Sequence, residues 1–243
     1  MNTALPRPAF YAAGRGTGGL LDWVTLLHPP YTLWHLSYVA IGAALVPHLS
    51  LWRLSGTLVA FFLAVGVGAH ALDELNGHPL RTGIATSILL AAAIISVGTA
   101  IAAGLIVGGW RLLPFVVVGA TLVAAYNLEW FGGMMHTNTV FAAAWGAFPV
   151  LTGYYTQQWM LAPAAGLAAV AAFAFSWGQR ALSTPVRRLR RQVRSASAEL
   201  VEADGTIRHL DRTQMIHPFE AALRSFAWAM PLIAAALVVA RTR

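Results

Sequence analysis

The segment His70-Ala-Leu-Asp73-Glu74-Leu-Asn76-Gly77-His78-Pro79 sets two imidazoles and two carboxylates at the end of an apolar run. A second polar spot, Glu129-Trp-Phe-Gly-Gly-Met-Met-His136, follows the end of another. In helical register His70, Asp73 and Glu74 fall at i, i+3 and i+4, on one face. That spacing makes half of a divalent-metal site; imidazole suits iron, zinc or manganese, whereas carboxylates alone suit magnesium. The expected metal ligands are His70, Asp73, Glu74, His78, Glu129 and His136, with His70, Asp73 and Glu74 as the catalytic trio. Gly77 and Pro79 end the helix and leave His78 on a loop. Gly132-Gly133 lets the backbone turn, so that Glu129 and His136 can approach another group. Ionisable groups at membrane depth are expensive and persist where they bind something. The plainer alternative is that both spots are hydrated helix caps and loop residues at the bilayer interface.

The elements that must position these groups are membrane helices. Of 243 residues, 58% are hydrophobic and 10% charged, with a mean hydropathy of +0.63. Seven runs, 31–48, 54–73, 84–107, 111–128, 137–156, 159–178 and 219–240, approach the roughly 20 apolar residues that a spanning helix needs. The expected fold is therefore an all-α integral membrane protein with about seven transmembrane helices. The chain divides into an N-terminal tail (1–24), a six-helix membrane core (25–178), a basic loop (179–218) and a seventh helix with its tail (219–243). Absence of cysteine excludes disulfides, zinc–thiolate sites and iron–sulfur clusters.

All sixteen basic residues are arginine, and eight of them fall in 179–218. In so oily a chain, the net charge of +7 reads as an orientation signal and an attraction to anionic lipid, with no nucleic-acid partner. Placing the basic loop in the cytoplasm puts the N-terminus there too, with Arg7, Arg15 and Arg81. Arg53, Arg111, Arg241 and Arg243 then lie outside. Both polar spots, His28 and His217 come to the cytoplasmic face of an inner or plasma membrane, and one pocket opening to the cytoplasm is the economical arrangement. The N-terminal stretch Met1 to Gly19 reads as a short tail. Thr184-Pro185 reads as the start of an amphipathic surface helix over 186–201, and Asp204-Gly205 as a hairpin turn. Thr137 to Thr139 are candidate caps for the fifth run. His28 reads as an interface histidine and His35, a turn deeper, as a more interesting one. Tyr126, Trp130 and Tyr154 belong to an aromatic belt, part of which can line a pocket.

Leu27-His28-Pro29 opening the first run, the acidic motif closing the second before Pro79-Leu80 and Gly83, Tyr126-Asn127 closing the fourth, and Phe141 to Tyr154 in the fifth resemble the UbiA prenyltransferase superfamily over roughly residues 25–185. The resemblance implies a helical membrane enzyme that moves an isoprenoid from its diphosphate to an aromatic or lipid acceptor, with magnesium as cofactor. Set against the family's Asn-Asp-x-x-Asp-x-x-x-Asp motif, His70 takes the asparagine position and Ala71 the first aspartate. Glu74 takes the second aspartate and His78 the third. Where a second acidic motif should follow the sixth run, Ser176 to Pro185 carries no acid. Arg180, Arg187 and Arg188 can balance phosphate charge instead, with Tyr126, Asn127, Trp130 and Tyr154 as further substrate-binding candidates.

Three functions fit these residues. The first is metal-dependent prenyl transfer or related chemistry on an isoprenoid or lipid. The second is an iron, zinc or manganese His/carboxylate centre, oxidoreductase or hydrolase, on the same scaffold. The third is a non-enzymatic lipid or small-molecule carrier. Membrane lipids are the expected surroundings in every case.

Overall fold

Each of the seven apolar runs forms a helical rod in the computed structural model, which describes residues 7–242. Met1 to Pro6 of the tail, and Arg243 of the arginines expected on the outer side, lie outside the described residues. A short helix α1 (Leu20–Leu26) precedes α2 (Pro29–Ala44). The rod α3 (Leu51–Leu75) is interrupted by a π-helical stretch, Phe62–Ala69. Then come α4 (Thr86–Gly108), a 3-10 turn at Gly109–Leu112 and α5 (Leu113–Asn127). The rod α6 (138–158) carries a second π stretch, Ala143–Ala147. The chain ends with α7 (Pro163–Arg191), strands β1 (Ser197–Val201) and β2 (Ile207–Asp211), and α8 (Arg212–Arg241).

The fold is thus mostly helical. Three stretches, Leu51–Leu75, Thr86–Asn127 and Arg212–Arg241, are long and apolar enough to cross a membrane. Large apolar side chains such as Ile94, Ile95, Leu167, Val170, Trp228 and Leu232 point outward, while many of the buried positions are small: Ala43, Ala93, Ala144, Ala165, Ala169, Ala172 and Ala227. A lipid surrounding explains both, because apolar side chains are at home against acyl chains and small residues let helices pack closely.

At the centre, α2 packs against α6 and α8. A β-carbon on Gly42 would strike the Val150 carbonyl, and one on Gly153 would strike the Val39 carbonyl, so the two backbones touch at this crossing. Tyr38 joins α2 to α7: its hydroxyl accepts from Trp34 Nε1 at 2.7 Å and from Ser176 Oγ at 3.3 Å. Pairing of Arg190 with Glu220, at 2.6 and 2.9 Å, ties α7 to α8.

Two sequence expectations are corrected. The helix expected over 186–201 does not start at Pro185. Instead α7 runs through it to Arg191, and the chain turns into β1 at Ser197. Proline lacks one N–H, but the Thr184 hydroxyl donates to the Arg180 carbonyl at 2.7 Å beside the gap. At about 1.5 Å per residue the 29-residue helix reaches about 44 Å, with Arg188, Arg190 and Arg191 in its last turn. The turn at Asp204-Gly205 is a hairpin, with Val201 opposite Ile207.

The second correction concerns the tail. Residues 7–19 fold back as a strap. Arg190 and Arg191 donate to the carbonyls of Arg7 and Pro8, and Gly16, Thr17 and Gly18 donate N–H bonds to the buried Asp22 carboxylate at 3.0, 2.7 and 2.6 Å. Gly16 and Gly18 have φ of 71° and 75°, which the tight wrap requires. Burial raises the Asp22 pKa, but these donors and the Gly83 N–H outweigh it and hold the carboxyl below its ordinary value. Its contribution is therefore complete at neutral pH and is lost only as pH falls below the unfolded value, about 4. Asp22→Asn removes it at every pH. We expect a loss of about 2–3 kcal/mol, read as faster proteolysis within the strap and altered Trp23 fluorescence; an unchanged digestion rate would contradict it.

Candidate functional site

Two histidines are fixed by carbonyls at the widened helical stretches. In α6, Pro149 has no N–H to offer the Trp145 carbonyl four residues earlier. That oxygen accepts from His35 Nδ1 at 2.8 Å. In α3 the π stretch ends at His70, whose Nδ1 reaches back to the Gly66 carbonyl at 3.0 Å. Helical π stretches are frequent at functional sites because they loosen the hydrogen-bond ladder. His136 Nδ1 reaches the Tyr126 carbonyl more loosely, at 3.4 Å. A carbonyl only accepts, so Nδ1 carries the proton in all three, and Nε2 of each ring is left for another partner.

These residues meet in one pocket of about 100 Å³ at the strap end of the bundle. His70 and Asp73 from the first polar spot line it together with Tyr126, Asn127 and His136 from beside the second. Arg180 and Arg187 from α7 complete the set of predicted residues that it contains, and Tyr11, His28, His35, Gln179 and Arg191 join them. The His28 ring stacks on His70 with centroids 4.2 Å apart, and its Nδ1 pairs with the Tyr11 hydroxyl at 2.7 Å. Burial, with the nearby charge of His70 and of Arg191 and Arg187, pushes the His28 pKa well down, so this imidazole is neutral at physiological pH.

Among the described residues, five buried side-chain polar atoms have no hydrogen-bond partner, and four of them, His28 Nε2, Tyr126 Oη, Gln179 Oε1 and Arg180 Nε, belong to residues lining this pocket. Buried polar atoms are nearly always paired, so such a concentration marks a place built to bind. Arg180 is only 8% exposed, and its guanidinium lies 6.0 Å from the Tyr126 ring and 5.4 Å from the Phe141 ring.

The other predicted residues stand elsewhere. Glu74 is fully buried and faces the 76–83 loop: Leu80 N–H, Thr82 N–H and the Thr82 hydroxyl donate to it at 2.9, 2.8 and 2.8 Å. Its carboxylate is therefore a loop anchor. His78 is exposed on that loop, 3.7 Å from Glu74. Glu129 sits exposed at φ 51°, 3.8 Å from His136. Trp130 and Arg188 are exposed, and Tyr154 packs with Val46 and Ala165 in a separate core cluster. Among the described residues, no three histidine, aspartate or glutamate side chains converge as a metal-holding group; the six ligands expected from the sequence are divided among a pocket, a buried loop anchor and two exposed turns. Glu74→Gln should destabilise the 76–83 loop by about 1–3 kcal/mol, because an amide NH₂ would then face an N–H donor. Hydrogen exchange at Leu80 and Thr82 would report it, and unchanged protection there would refute the assignment.

A second, larger cavity of about 410 Å³ lies between α3, α4, α5 and α6 and is almost wholly apolar in its lining. Val65 and Trp145 line both cavities. Near its other end Trp159 lies beneath Arg53 and Arg111, at 5.2 and 5.8 Å. The site missing from the sequence reading is the strap with Tyr11; its one legible signal was the glycine run Gly14 to Gly19 ahead of Asp22. Compared with known proteins, the chain matches no family model, no curated protein and no solved structure.

Proposed function

We propose that this chain is a membrane-embedded, UbiA-like enzyme acting on an isoprenoid or related lipid with a phosphate-bearing head, by prenyl transfer from a prenyl diphosphate. In this reading all seven rods cross the bilayer, and the pocket opens to the cytoplasm beside the arginine-rich end of α7. The observation that carries it is that the two cavities lie side by side and share Val65 and Trp145 as a common wall. One compartment is positive and holds unpartnered donors; the other is larger and almost wholly apolar. Together they match an amphiphile with an anionic head and a hydrocarbon tail.

The chemistry follows from the lining. The arginines take up charge as the allylic C–O bond breaks and its electron pair leaves with the diphosphate. The faces of Tyr126, Phe141 and Trp145 stabilise the allylic cation. An acceptor then forms the new bond to that carbon, and the free Nε2 of His35 or His70 takes the proton it releases. Incubating protein in lipid nanodiscs with geranyl, farnesyl or geranylgeranyl diphosphate and a lipid extract should release pyrophosphate and give a prenylated lipid. Release of neither from any of the three would refute the reading.

A second reading has one observation in its favour. Nδ1 bonding to carbonyls is the outer-shell arrangement of metal-ligating histidines, and His35, His70 and His136 share it at the pocket; because among the described residues no three such side chains converge, iron, zinc or manganese would have to draw them together on binding. Near-stoichiometric metal in purified protein, lost in a His35→Ala/His70→Ala variant, would favour it over prenyl transfer.

A further inference from the structure

We propose that the pocket binds a phosphate or diphosphate group directly through Arg180, Arg187 and Arg191, with no divalent cation between protein and anion. The proposal rests on reading the pocket as a head-group site, and it departs from the magnesium that a UbiA-like enzyme would imply.

The donor set does not fit magnesium. Mg²⁺ takes oxygen ligands, with carboxylates supplying the charge, and this pocket offers one carboxylate, Asp73. The neighbouring acids are committed or turned away. Glu74 holds Leu80 and Thr82, Glu220 is bidentate to Arg190, and Glu129 is exposed on its turn.

The same lining fits a bare anion. Three guanidinium groups against one carboxylate leave a surplus of positive charge. A magnesium ion would add to that surplus, whereas a diphosphate offsets it. Arg180 is the strongest indication: it is more than nine-tenths buried, with Nε unpartnered and, among the described residues, no carboxylate within ion-pair distance. A buried cation without a counterion is costly, so the site is built around an anion that arrives with the ligand. Arginine presents a planar fork that matches phosphate oxygens. Tyr126 Oη can add a neutral donor on the same wall.

The test is equilibrium binding to full-length protein in nanodiscs of zwitterionic lipid, with three probes: inorganic pyrophosphate, geranylgeranyl diphosphate and the headless alcohol geranylgeraniol. Each is titrated in EDTA and in excess Mg²⁺. Both diphosphates should bind as well or better in EDTA, the lipid form more tightly. Arg187→Gln should weaken both by at least about tenfold, the effect of one charge-assisted hydrogen bond, and leave the alcohol unchanged. Asp73→Asn is the sharpest arm: a metal-bridged anion would lose its bridge, whereas a directly held anion keeps or gains affinity. Binding seen only with Mg²⁺, binding in neither condition, or loss of binding in folded Asp73→Asn would each overturn the proposal. Prenyl transfer that requires Mg²⁺ would sink it while leaving the functional reading intact. EDTA-resistant pyrophosphate binding without any transfer would do the reverse.

Discussion

Arg180→Met raises the thermal stability of the ligand-free protein and at the same time removes most of its affinity for a diphosphate. The two effects have one cause. The Arg180 side chain is buried, with Nε unpaired, beside the rings of Tyr126 and Phe141. Without an anion, its desolvation outweighs what cation–π contact returns, so removing the charge while keeping an apolar stem stabilises the empty fold by roughly 1–3 kcal/mol. With an anion present the same charge is the best-placed donor in the pocket, and its loss weakens binding by about a hundredfold. Thermal unfolding with and without pyrophosphate reads both. Wild-type protein should gain stability on adding the ligand, and the variant should start higher and gain little. A variant that is simply less stable, with ligand-induced stabilisation intact, would mean that Arg180 is a packing residue.

The largest loss of stability is expected at the crossing of α2 and α6. Gly42 faces the Val150 carbonyl and Gly153 faces the Val39 carbonyl, each closer than a β-carbon allows. Neither atom they face can rotate away, because both are backbone. Gly42→Val or Gly153→Val must therefore push the helices apart, at about 3 kcal/mol or more. If this crossing lies in the bilayer, as the seven-span reading proposes, close packing replaces the hydrophobic effect between helices and little offsets the separation. The double variant should cost less than the sum of the singles, since one displacement relieves both clashes. Gly98→Ala and Gly166→Ala are the controls: nothing lies within 4 Å of a β-carbon there, so both should be neutral or slightly stabilising. Thermal unfolding in detergent decides it, and equal effects at all four glycines would refute the close-crossing account.

What the chain determined by itself was the local order. Hydropathy placed seven rods because apolar run length is a property of consecutive residues, and Thr137 caps α6 as its position ahead of the apolar run implied. The Asp204-Gly205 hairpin was legible for the same reason. His70, Asp73, Tyr126, Asn127, His136, Arg180 and Arg187 were readable as polar groups near rod ends, and they share the pocket. Which way each side chain turns was decided only in three dimensions. Asp73 and Glu74 are adjacent, yet the rotation of about 100° per residue in a helix sends Asp73 to the pocket and Glu74 to the loop that it anchors. The strap that brings Tyr11 to His28 depends on Asp22 collecting four N–H donors, three from Gly16 to Gly18 and one from Gly83, and no periodicity announces such a contact. His35 was visible one turn into its helix, but its partner is the Trp145 carbonyl, 110 residues away, next to a proline gap in another rod. Spacing along a helix assigns a residue to a face; only the packing of rod against rod decides what that face meets.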